Sequence, residues 1–439
     1  MTTSRSWLRV AVAHLIYQLI LHLACALALG PWIVRALRDR RQWSWLAGRL
    51  GRLPGPPQTC APVWVHAVSV GEVKASRKLV AGLLARDVPV VLSTGTVTGL
   101  ETAERLFPDI VTFPWPLDLP WVVGPVLRHI APRAILLVEL EVWPTMMRLA
   151  SAADIPQAIV NGRMSQASFA GYRRLRWWLP EFERLALVLA QTEIYAERLR
   201  GLGVAAERLH VCGNLKHDLT EPVDAATCSA LAEELGLDGG RPVFLAGSTH
   251  DGEDEPVLLA WLAAGGAAVC DLVLVPRHLD RVGEIGRLLR RHDTPFTLRS
   301  QLPVGRPAEH VLLVDTLGEL ETLFGVADVV FLGGSLVPVG GHNVLEPAAA
   351  SRPILVGPHL DSCQAEAEAL QAAGGLAVVA DQSALGKRLA ELLSDESERR
   401  AMGAAGRRCL VGLAGATETM LGLLAAKGLL DEPAAVAEG

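Results

Sequence analysis

An acidic side chain occupies a turn where many α/β proteins bind phosphate. In HAVSVGEVKAS, residues 66–76, an apolar β-prone run leads into a run with helical spacing, so SVG is predicted to be a strand-to-helix turn. Dinucleotide-binding proteins have a glycine-rich turn there and bind phosphate at the helix N-terminus. Glu72 places a negative charge at that point instead. It is either a catalytic carboxylate or one half of a capping box with Ser69.

Two further acids end a strongly apolar segment. VELEVWPTMM places Glu139 and Glu141 at the end of a predicted strand, with both side chains on the same side of the pleat. Buried carboxylates are costly unless they are paired or functional, although these two could also cap the helix that follows. Lys216, in GNLKHD, ends another predicted strand. It brings a cation to the same edge of the sheet or is a surface lysine.

The second half of the chain carries residues suited to binding a nucleotide. Arg277 and His278, in LVPRHLDR, follow a predicted strand, and a guanidinium offers phosphate or carboxylate a planar fork of donors. The next strand-to-helix turn, in DTLGELETLF, exposes backbone amides to a ligand and contains Leu317, Gly318 and Glu319.

The segment FLGGSLVPVGGHNVLEPAAA has two glycine pairs before a helix predicted to begin near Asn343. Glycine lets a ligand approach the backbone, and a helix N-terminus attracts an anion. Glu346, in the first turn, can accept hydrogen bonds from ribose hydroxyls. A simple cap of Asn343 and Glu346 is the alternative, but it would need neither the glycine pairs nor the histidine.

Alternating strands and helices must position these residues, which predicts parallel sheets with right-handed crossovers. The predicted strands of a first series are 62–68, 88–94, 110–115, 134–141, 156–162 and 186–192, and those of a second series are 242–248, 271–277, 310–316, 329–335, 353–358 and 375–380. We expect two Rossmann-like domains facing a cleft, since ligands of such sheets bind at the carboxyl ends of the strands. The predicted ranges are 53–225 and 226–439, after an N-terminal segment, 1–52.

That N-terminal segment is basic and apolar. The chain has a formal charge of −6, but residues 1–60 hold eight arginines and a single acid, a net +7, so the rest carries −13. The charge-free stretch 10–34 is long enough to cross about 30 Å of hydrocarbon. It is longer than the apolar region of a signal peptide and lacks the polar face of a soluble helix, so it is predicted to be a membrane anchor. Six arginines follow it and two precede it, which by the positive-inside rule predicts that the remainder stays cytoplasmic. A helix lying in the membrane interface stays open.

Other classes of protein find no support in the sequence. The seven cysteines are scattered, without a CxxC pair or zinc spacing, which favours reduced thiols. The motifs HExxH, GxSxG and GxxxxGKS/T do not occur, so metalloprotease, serine-hydrolase and P-loop chemistry are not indicated. The basic segment fits anionic lipid rather than nucleic acid.

Taken together and in order, the motifs resemble one enzyme family over essentially the whole chain. HAVSVGE, VELEVWP, NGRMS, AQTE, GNLKHD, AGSTHDGEDE, LVPRH, DTLGEL, FLGGS and GGHNVLEPA resemble the 3-deoxy-D-manno-octulosonic acid (Kdo) transferases of Gram-negative bacteria. The resemblance implies a two-domain GT-B fold. It also implies transfer of Kdo from the donor CMP-Kdo to lipid IVA, a lipid A precursor, at the cytoplasmic face of the inner membrane, with no cofactor or metal.

The resemblance also implies roles for individual residues. Glu72 matches the general base of the family, which deprotonates the acceptor hydroxyl in an inverting attack. Glu139 and Lys216 match residues that stabilise the transition state. The CMP-binding positions it implies are Pro276, Arg277, Leu317, Gly318, Glu319, Asn343, Val344, Leu345 and Glu346. Leu140 stands where the family often has threonine, so the choice between Glu139 and Glu141 stays open.

Two other functions stay open at this point: a GT-B transferase that uses a UDP-sugar on a membrane lipid, and a catalytically silent nucleotide-binding membrane scaffold. A scaffold would have no need of a base, which speaks against the second.

Overall fold

The computed structural model describes residues 2–55, 60–176, 180–219, 223–237, 240–302 and 306–431. The chain divides into two compact units, one formed by Met1–Leu219 with Ala414–Gly439 and the other by Thr220–Leu413. Each unit is built on a parallel sheet, as the alternation of strands and helices predicts.

The first unit has a seven-stranded sheet in the order β3-β2-β1-β4-β5-β6-β7. Its strands are β1 (Val63–His66), β2 (Val90–Thr94), β3 (Val111–Pro114), β4 (Ala134–Val138), β5 (Gln157–Gly162), β6 (Leu187–Ala190) and β7 (Leu209–Val211). Its helices are α1 (Thr2–Arg38), α2 (Arg40–Arg49), α3 (Val70–Ala75), α4 (Arg77–Leu84), α5 (Val97–Leu106), α6 (Pro120–Ile130), α7 (Pro144–Ala152), α8 (Gln166–Leu175), α9 (Glu193–Gly201), α10 (Leu215–Leu219) and, much later in the chain, α19 (Ala416–Ala426).

The second unit has a seven-stranded sheet in the order β10-β11-β9-β8-β12-β13-β14. Its strands are β8 (Val243–Thr249), β9 (Asp271–Pro276), β10 (Phe296–Leu298), β11 (Val311–Leu313), β12 (Val329–Leu332), β13 (Ile354–Val356) and β14 (Leu376–Val378). Its helices are α11 (Ala225–Glu234), α12 (Asp254–Ala263), α13 (Val282–Arg291), α14 (Leu320–Val326), α15 (Leu345–Ala349), α16 (Gln364–Ala372), α17 (Gln382–Ser394) and α18 (Glu396–Leu413).

Each sheet is buried on both faces, which explains the continuous apolar runs of its central strands. In β1, Val63 and Val65 pack into the core on one face, while Trp64 between them packs into the core on the other. The second sheet is likewise covered on both sides, with Leu245 of β8 on one face and Phe244 on the other. This packing holds the carboxyl ends of the strands, where the candidate site residues lie, on a rigid base.

Helix α1 packs against the rest of the first unit with its polar side inward. The Tyr17 hydroxyl donates to Oδ2 of Asp118 at 2.8 Å, and Gln18 contacts the backbone oxygen of Asp118 and Oγ1 of Thr145. The opposite side of the helix is apolar and exposed, formed by Val12, Leu15, Ile16, Leu19, Ile20, Leu23 and Leu27. The part of this helix that is long and apolar enough to cross a membrane is Arg9–Ala28.

The last described helix, α19, belongs to the first unit, whereas the predicted range 226–439 assigns these residues to the second domain. Asp218, in the GNLKHD motif, caps α19 by accepting hydrogen bonds from the backbone N–H groups of Gly415 at 2.6 Å and Thr417 at 2.5 Å. Met420 and Leu421 of α19 are completely buried in the core of the first unit. The second unit is therefore an insertion between α10 and α19.

Candidate active site

Glu72 lies in the first turn of α3, just beyond the end of β1. Its Oε2 accepts a hydrogen bond from the Val68 N–H at 2.8 Å, and its Oε1 accepts one from Oγ of Ser69 at 2.9 Å. Ser69 caps the helix in return, so the capping arrangement is present. Burial raises the pKa of Glu72, these hydrogen bonds lower it, and the charge of Glu139 raises it again, with a net increase. The carboxylate thus combines a structural contact with a raised proton affinity.

Glu139 and Lys216 form an ion pair at the same edge of the sheet. Glu139 follows β4 in a left-handed backbone conformation, with φ of 63°. Its Oε1 is 3.8 Å from Nζ of Lys216, which lies at the start of α10. The two side chains are partly open to solvent, so they can reach a ligand.

Glu141 has a different partner. Its Oε2 accepts a hydrogen bond from Nε1 of Trp143 at 2.8 Å. Burial raises the pKa of Glu141 to about 7, with a further contribution from the charge of Glu72. Glu72 therefore interacts electrostatically with both Glu139 and Glu141, and the three acids form one cluster. Lys216 is paired with Glu139, whereas Glu141 is hydrogen-bonded to Trp143.

Two motifs outside this cluster hold Lys216 in place. Asn161, in NGRMS, is buried and accepts a hydrogen bond through Oδ1 from the Leu215 N–H at 3.0 Å, next to Lys216. Gln191, in AQTE, donates from Nε2 to the Asn161 backbone oxygen at 3.0 Å. Asn161 and Gln191 thus help to position the start of α10.

In the second unit, Arg277 follows β9 with its side chain exposed. Its backbone N–H donates to the Thr249 oxygen at 3.0 Å, which ties the ends of β8 and β9 together. Glu319 is engaged by Arg299, whose Nη2 is 2.7 Å from its Oε1. Burial raises the pKa of Glu319, but the hydrogen bonds from Arg299 and Thr316 outweigh this effect and lower it. The adjoining Leu317 and Gly318 are exposed turn residues.

The segment Asn343–Glu346 begins α15. The helix starts at Leu345, two residues later than predicted, because Oδ1 of Asn343 accepts a hydrogen bond from the Leu345 N–H at 3.2 Å. Nδ2 of Asn343 also donates to Oε1 of Glu346 at 2.9 Å, which links the two side chains, although the N-cap of α15 is Val344 and has no side-chain capping bond. The side chains of Val344 and Leu345 are buried, which leaves their backbone as the part that a ligand can meet.

The first glycine pair of this region, Gly333 and Gly334, lies against a carboxylate of the protein itself, that of Glu253. Glu253 is fully buried and accepts hydrogen bonds from the backbone N–H groups of Gly334 (2.6 Å), Ser335 (3.0 Å), Leu336 (2.9 Å) and His250 (2.9 Å). A Cβ at Gly333 would lie 2.7 Å from Oε2 of Glu253 and 2.5 Å from the Ser248 oxygen. The interpretation of this pair as room for a ligand is therefore wrong. The second pair, Gly340 and Gly341, has φ of 107° and 78° and forms the turn before Asn343.

Three histidines that the sequence scatters come together at the ends of β8, β9 and β12. Nε2 of His250 is 2.9 Å from Nε2 of His342, with the rings stacked, and His278 packs edge-on against His250. Burial, together with the charges of His250, Arg277 and His278, lowers the pKa of His342 to about 4. Sequence analysis missed this cluster. The sequence signals were that His250 and His278 each follow a strand and that His342 lies between a glycine pair and a helix.

The predicted residues thus fall into two groups, one in each unit, and an ion pair and an electrostatic interaction join the members of the first group to one another. The first group comprises Glu72, Glu139 and Lys216, and the second comprises Pro276, Arg277, Leu317, Gly318, Glu319 and Asn343 through Glu346. Among the described residues, no group of three or more histidines, cysteines or acids is arranged to hold a metal ion.

Comparison with solved structures shows the fold. A glycosyltransferase from Rickettsia africae aligns with 85% of this chain and 100% of its own, with a TM-score of 0.58 at 11% identity. A UDP-GlcNAc 2-epimerase from Neisseria meningitidis, bound to UDP-GlcNAc, aligns with 83% of this chain and 100% of its own, with a TM-score of 0.58 at 12% identity. At such identities the likeness concerns the fold alone, and it confirms the GT-B-like class.

Comparison of sequences shows the family. The family model for 3-deoxy-D-manno-octulosonic-acid transferase (kdotransferase) matches residues 44–219. The 3-deoxy-D-manno-octulosonic acid transferase of Bordetella pertussis is 37% identical over 418 residues, which is 89% of this chain and 94% of that one. The enzyme of the same name from Haemophilus influenzae is 33% identical over 405 residues, 90% and 93% of the two chains. The chain therefore belongs to the 3-deoxy-D-manno-octulosonic acid transferase family and is a glycosyltransferase, as its ordered motifs predict.

Proposed function

We propose that this enzyme transfers Kdo, with inversion, from CMP-Kdo to lipid IVA, in the synthesis of the lipopolysaccharide core. The observation that carries the proposal is the carboxylate of Glu72, which has a raised pKa beside the Glu139–Lys216 pair. A group with these properties suits the removal of a proton from a sugar hydroxyl near neutral pH.

In the proposed reaction, Glu72 accepts the proton of the acceptor hydroxyl. The hydroxyl oxygen forms a bond to the anomeric carbon of Kdo, while the bond between that carbon and the CMP phosphate oxygen breaks. CMP leaves with the electron pair. Burial supports this role, because a carboxylate with a raised pKa is a stronger base than one in water.

Glu139 and Lys216 are proposed to stabilise the transition state. The transition state of glycosyl transfer has a cationic, oxocarbenium-like sugar and a departing anionic phosphate. A carboxylate suits the first charge and an ammonium suits the second, and the two side chains lie 3.8 Å apart. The partner of Glu139 supports choosing it over Glu141, which is hydrogen-bonded to Trp143.

The second unit is proposed to bind the CMP moiety. The positions are Pro276, Arg277, Leu317, Gly318, Glu319, Asn343, Val344, Leu345 and Glu346. Burial of the Val344 and Leu345 side chains supports recognition through the backbone, while Arg277 offers a guanidinium to the phosphate. In this proposal charged side chains, rather than a metal ion, stabilise the phosphate of the donor, and the reaction uses no cofactor.

We expect Arg277→Ala to raise the KM for CMP-Kdo by about 10- to 100-fold with a smaller effect on kcat, since a charge-assisted contact to phosphate is lost. Initial rates at varied donor concentration measure this. Arg287→Ala, which removes an exposed arginine of α13 in the same unit, is the matched control. An unchanged KM for Arg277→Ala would remove Arg277 from the proposed donor site.

The enzyme is proposed to work at the cytoplasmic face of the inner membrane, with α1 lying in the plane of the interface. The polar side of α1 is occupied by Asp118 and Thr145, while its apolar side is exposed. A helix that crossed the bilayer in this arrangement would draw the polar surface around Asp118 into hydrocarbon, which is costly. An in-plane helix places only its apolar side there.

We expect the double variant Leu19→Glu/Leu23→Glu to lose membrane association, because two charges would enter the apolar side of α1. Sedimentation with vesicles containing anionic lipid measures the bound fraction. Leu84→Glu, at an exposed leucine of α4, is the control and should sediment like the unchanged protein. Full sedimentation of the double variant would contradict the proposed anchor.

The function itself is tested by incubating membranes that contain the protein with tetra-acylated lipid A precursor and freshly generated CMP-Kdo. Mass spectrometry of the lipid should show increments of one or more Kdo units. Incorporation from UDP-sugars instead would indicate a different GT-B transferase. If the lipid stayed unchanged with every donor while a known Kdo transferase was active in parallel, the catalytically silent membrane scaffold would be the remaining hypothesis.

A further inference from the structure

A small pocket lies between the N-terminal helices and the end of β2. It encloses about 290 Å³ and is lined by Trp32, Gln42, Trp45, Leu46, Arg49 and Gly95. Pockets for small molecules usually measure about 300–1,000 Å³, so this one suits a compact polar group better than an acyl chain. Its walls combine the apolar side chains of Trp32, Trp45 and Leu46 with polar groups, and the guanidinium of Arg49 is the formal charge among them.

Arg49 has no carboxylate partner among the residues that the structure describes. Its guanidinium carbon lies 6.0 Å from the centre of the Trp45 ring, and burial lowers its pKa. A cation withdrawn from water is costly unless an anion compensates it. The pocket therefore has a place for a negative charge that the described part of the chain does not fill.

The wall of the pocket is connected to Glu72 through one residue, Val68. The Gly95 N–H, in the wall of the pocket, donates to the Val68 oxygen at 3.1 Å, and the Val68 N–H donates to the Glu72 carboxylate at 2.8 Å. A Cβ at Gly95 would lie 2.6 Å from Cγ1 of Val68, so the close approach requires glycine. A single residue, Val68, thus connects the wall of the pocket to the carboxylate.

The surroundings of the pocket indicate where its ligand comes from. Trp32 belongs to α1, whose opposite side is exposed and apolar, and the remaining helical residues of the lining belong to α2. Trp43 of α2 is also exposed, as is typical of aromatic residues at the membrane interface. With a net charge of +7 in residues 1–60, this surface attracts anionic lipid headgroups.

We propose that Arg49 binds a phosphate on the saccharide headgroup of the acceptor lipid and so holds the accepting hydroxyl at Glu72. The inference rests on the proposed function and adds to it an acceptor subsite with a residue that determines specificity. A phosphomonoester carries a charge of about −1.5 to −2 at neutral pH and matches the planar fork of a guanidinium. The contact is made away from the reacting atoms, so its loss acts on acceptor binding.

The test compares the full-length enzyme with Arg49→Met, using the tetra-acylated bisphosphorylated acceptor and its two monophosphorylated forms. We expect removal of one of the phosphates to raise the acceptor KM of the unchanged enzyme by about tenfold or more. Arg49→Met should show a similar rise with the intact acceptor and no further rise when that phosphate is absent. Arg49→Lys should restore part of the affinity.

The matched control is Arg41→Met, which removes a charge from the same helix at an exposed position paired with Glu101. It should keep the acceptor KM of the unchanged enzyme. An acceptor KM that is unchanged in Arg49→Met would overturn the inference. So would a rise in KM from the substitution and a further rise from removal of the phosphate, because the two effects would then be independent. Displacement of the acceptor by micromolar inorganic phosphate would instead identify a site for the free anion and would also overturn it.

Acceptor binding is measured in parallel by thermophoresis of the solubilised enzyme without donor. If the lipid binds but Kdo is not transferred, the proposed reaction fails, and the binding constants alone decide on Arg49. If Kdo is transferred and Arg49→Met binds all three lipids like the unchanged enzyme, the reaction stands and the subsite fails.

Discussion

Glu72→Gln is expected to lower kcat by about 10²- to 10⁴-fold, the usual contribution of a general base. The amide cannot take the proton of the acceptor hydroxyl at any pH of interest. The KM for CMP-Kdo should stay within a few-fold of the original value, because the proposed donor site lies in the other unit. Single-turnover rates with saturating donor and acceptor measure the loss.

Ser69→Ala is the matched control for this variant, because Glu72 is also part of a capping arrangement. Removal of the Ser69 hydroxyl abolishes its hydrogen bonds with Glu72 but keeps the carboxylate. It should cost about 1 kcal/mol of stability and leave most of the turnover. If Glu72→Gln kept near-normal turnover and lost about as much stability as Ser69→Ala, Glu72 would not be the general base. Its role would then be limited to capping α3.

Glu253→Gln is expected to destabilise the second unit by about 3–5 kcal/mol, the usual cost of breaking a buried charged network. The Glu253 carboxylate accepts four backbone N–H groups, whereas the NH₂ group of glutamine would face some of them as a second donor. For a unit of this size the melting temperature should fall by roughly 6–20 °C. Calorimetry of the full-length protein records it.

Glu255→Gln is the control for that prediction. Glu255 lies in α12 close to Glu253, but it is exposed and paired with His292 at 2.9 Å. Exposed ion pairs contribute about 0–1 kcal/mol, so this variant should melt close to the unchanged protein. Equal melting of both variants would mean that the four N–H groups find other acceptors and that Glu253 does not hold the loop after β12.

The central strands could be predicted because burial on both faces requires unbroken apolar runs. β1 and β4 both lie in such runs, and both appear where the sequence predicts them. β10 was missed, since Phe296–Leu298 is a short, partly exposed edge strand without such a run. The late start of α15 follows from the hydrogen bond between Asn343 and Leu345, which depends on a side-chain conformation.

The candidate site could be predicted where motifs lie at strand ends, and it was missed where contacts join distant parts of the chain. Glu72 and Arg277 each follow a strand, so the topology alone brings them to a sheet edge. The contacts of Glu253 with residues 334–336 join positions more than 80 residues apart, and the periodicity of apolar residues does not predict such contacts. The pocket at Arg49 likewise depends on how α1 and α2 meet the end of β2.

The return of α19 to the first unit has a consequence for biosynthesis. Met420 and Leu421 complete a core whose other strands and helices precede residue 220. On the ribosome, the second unit is therefore fully synthesised while the first still lacks part of its interior. The earlier part of the first unit therefore stays incomplete until α19 has been synthesised, and apolar surface exposed in this way is prone to aggregation.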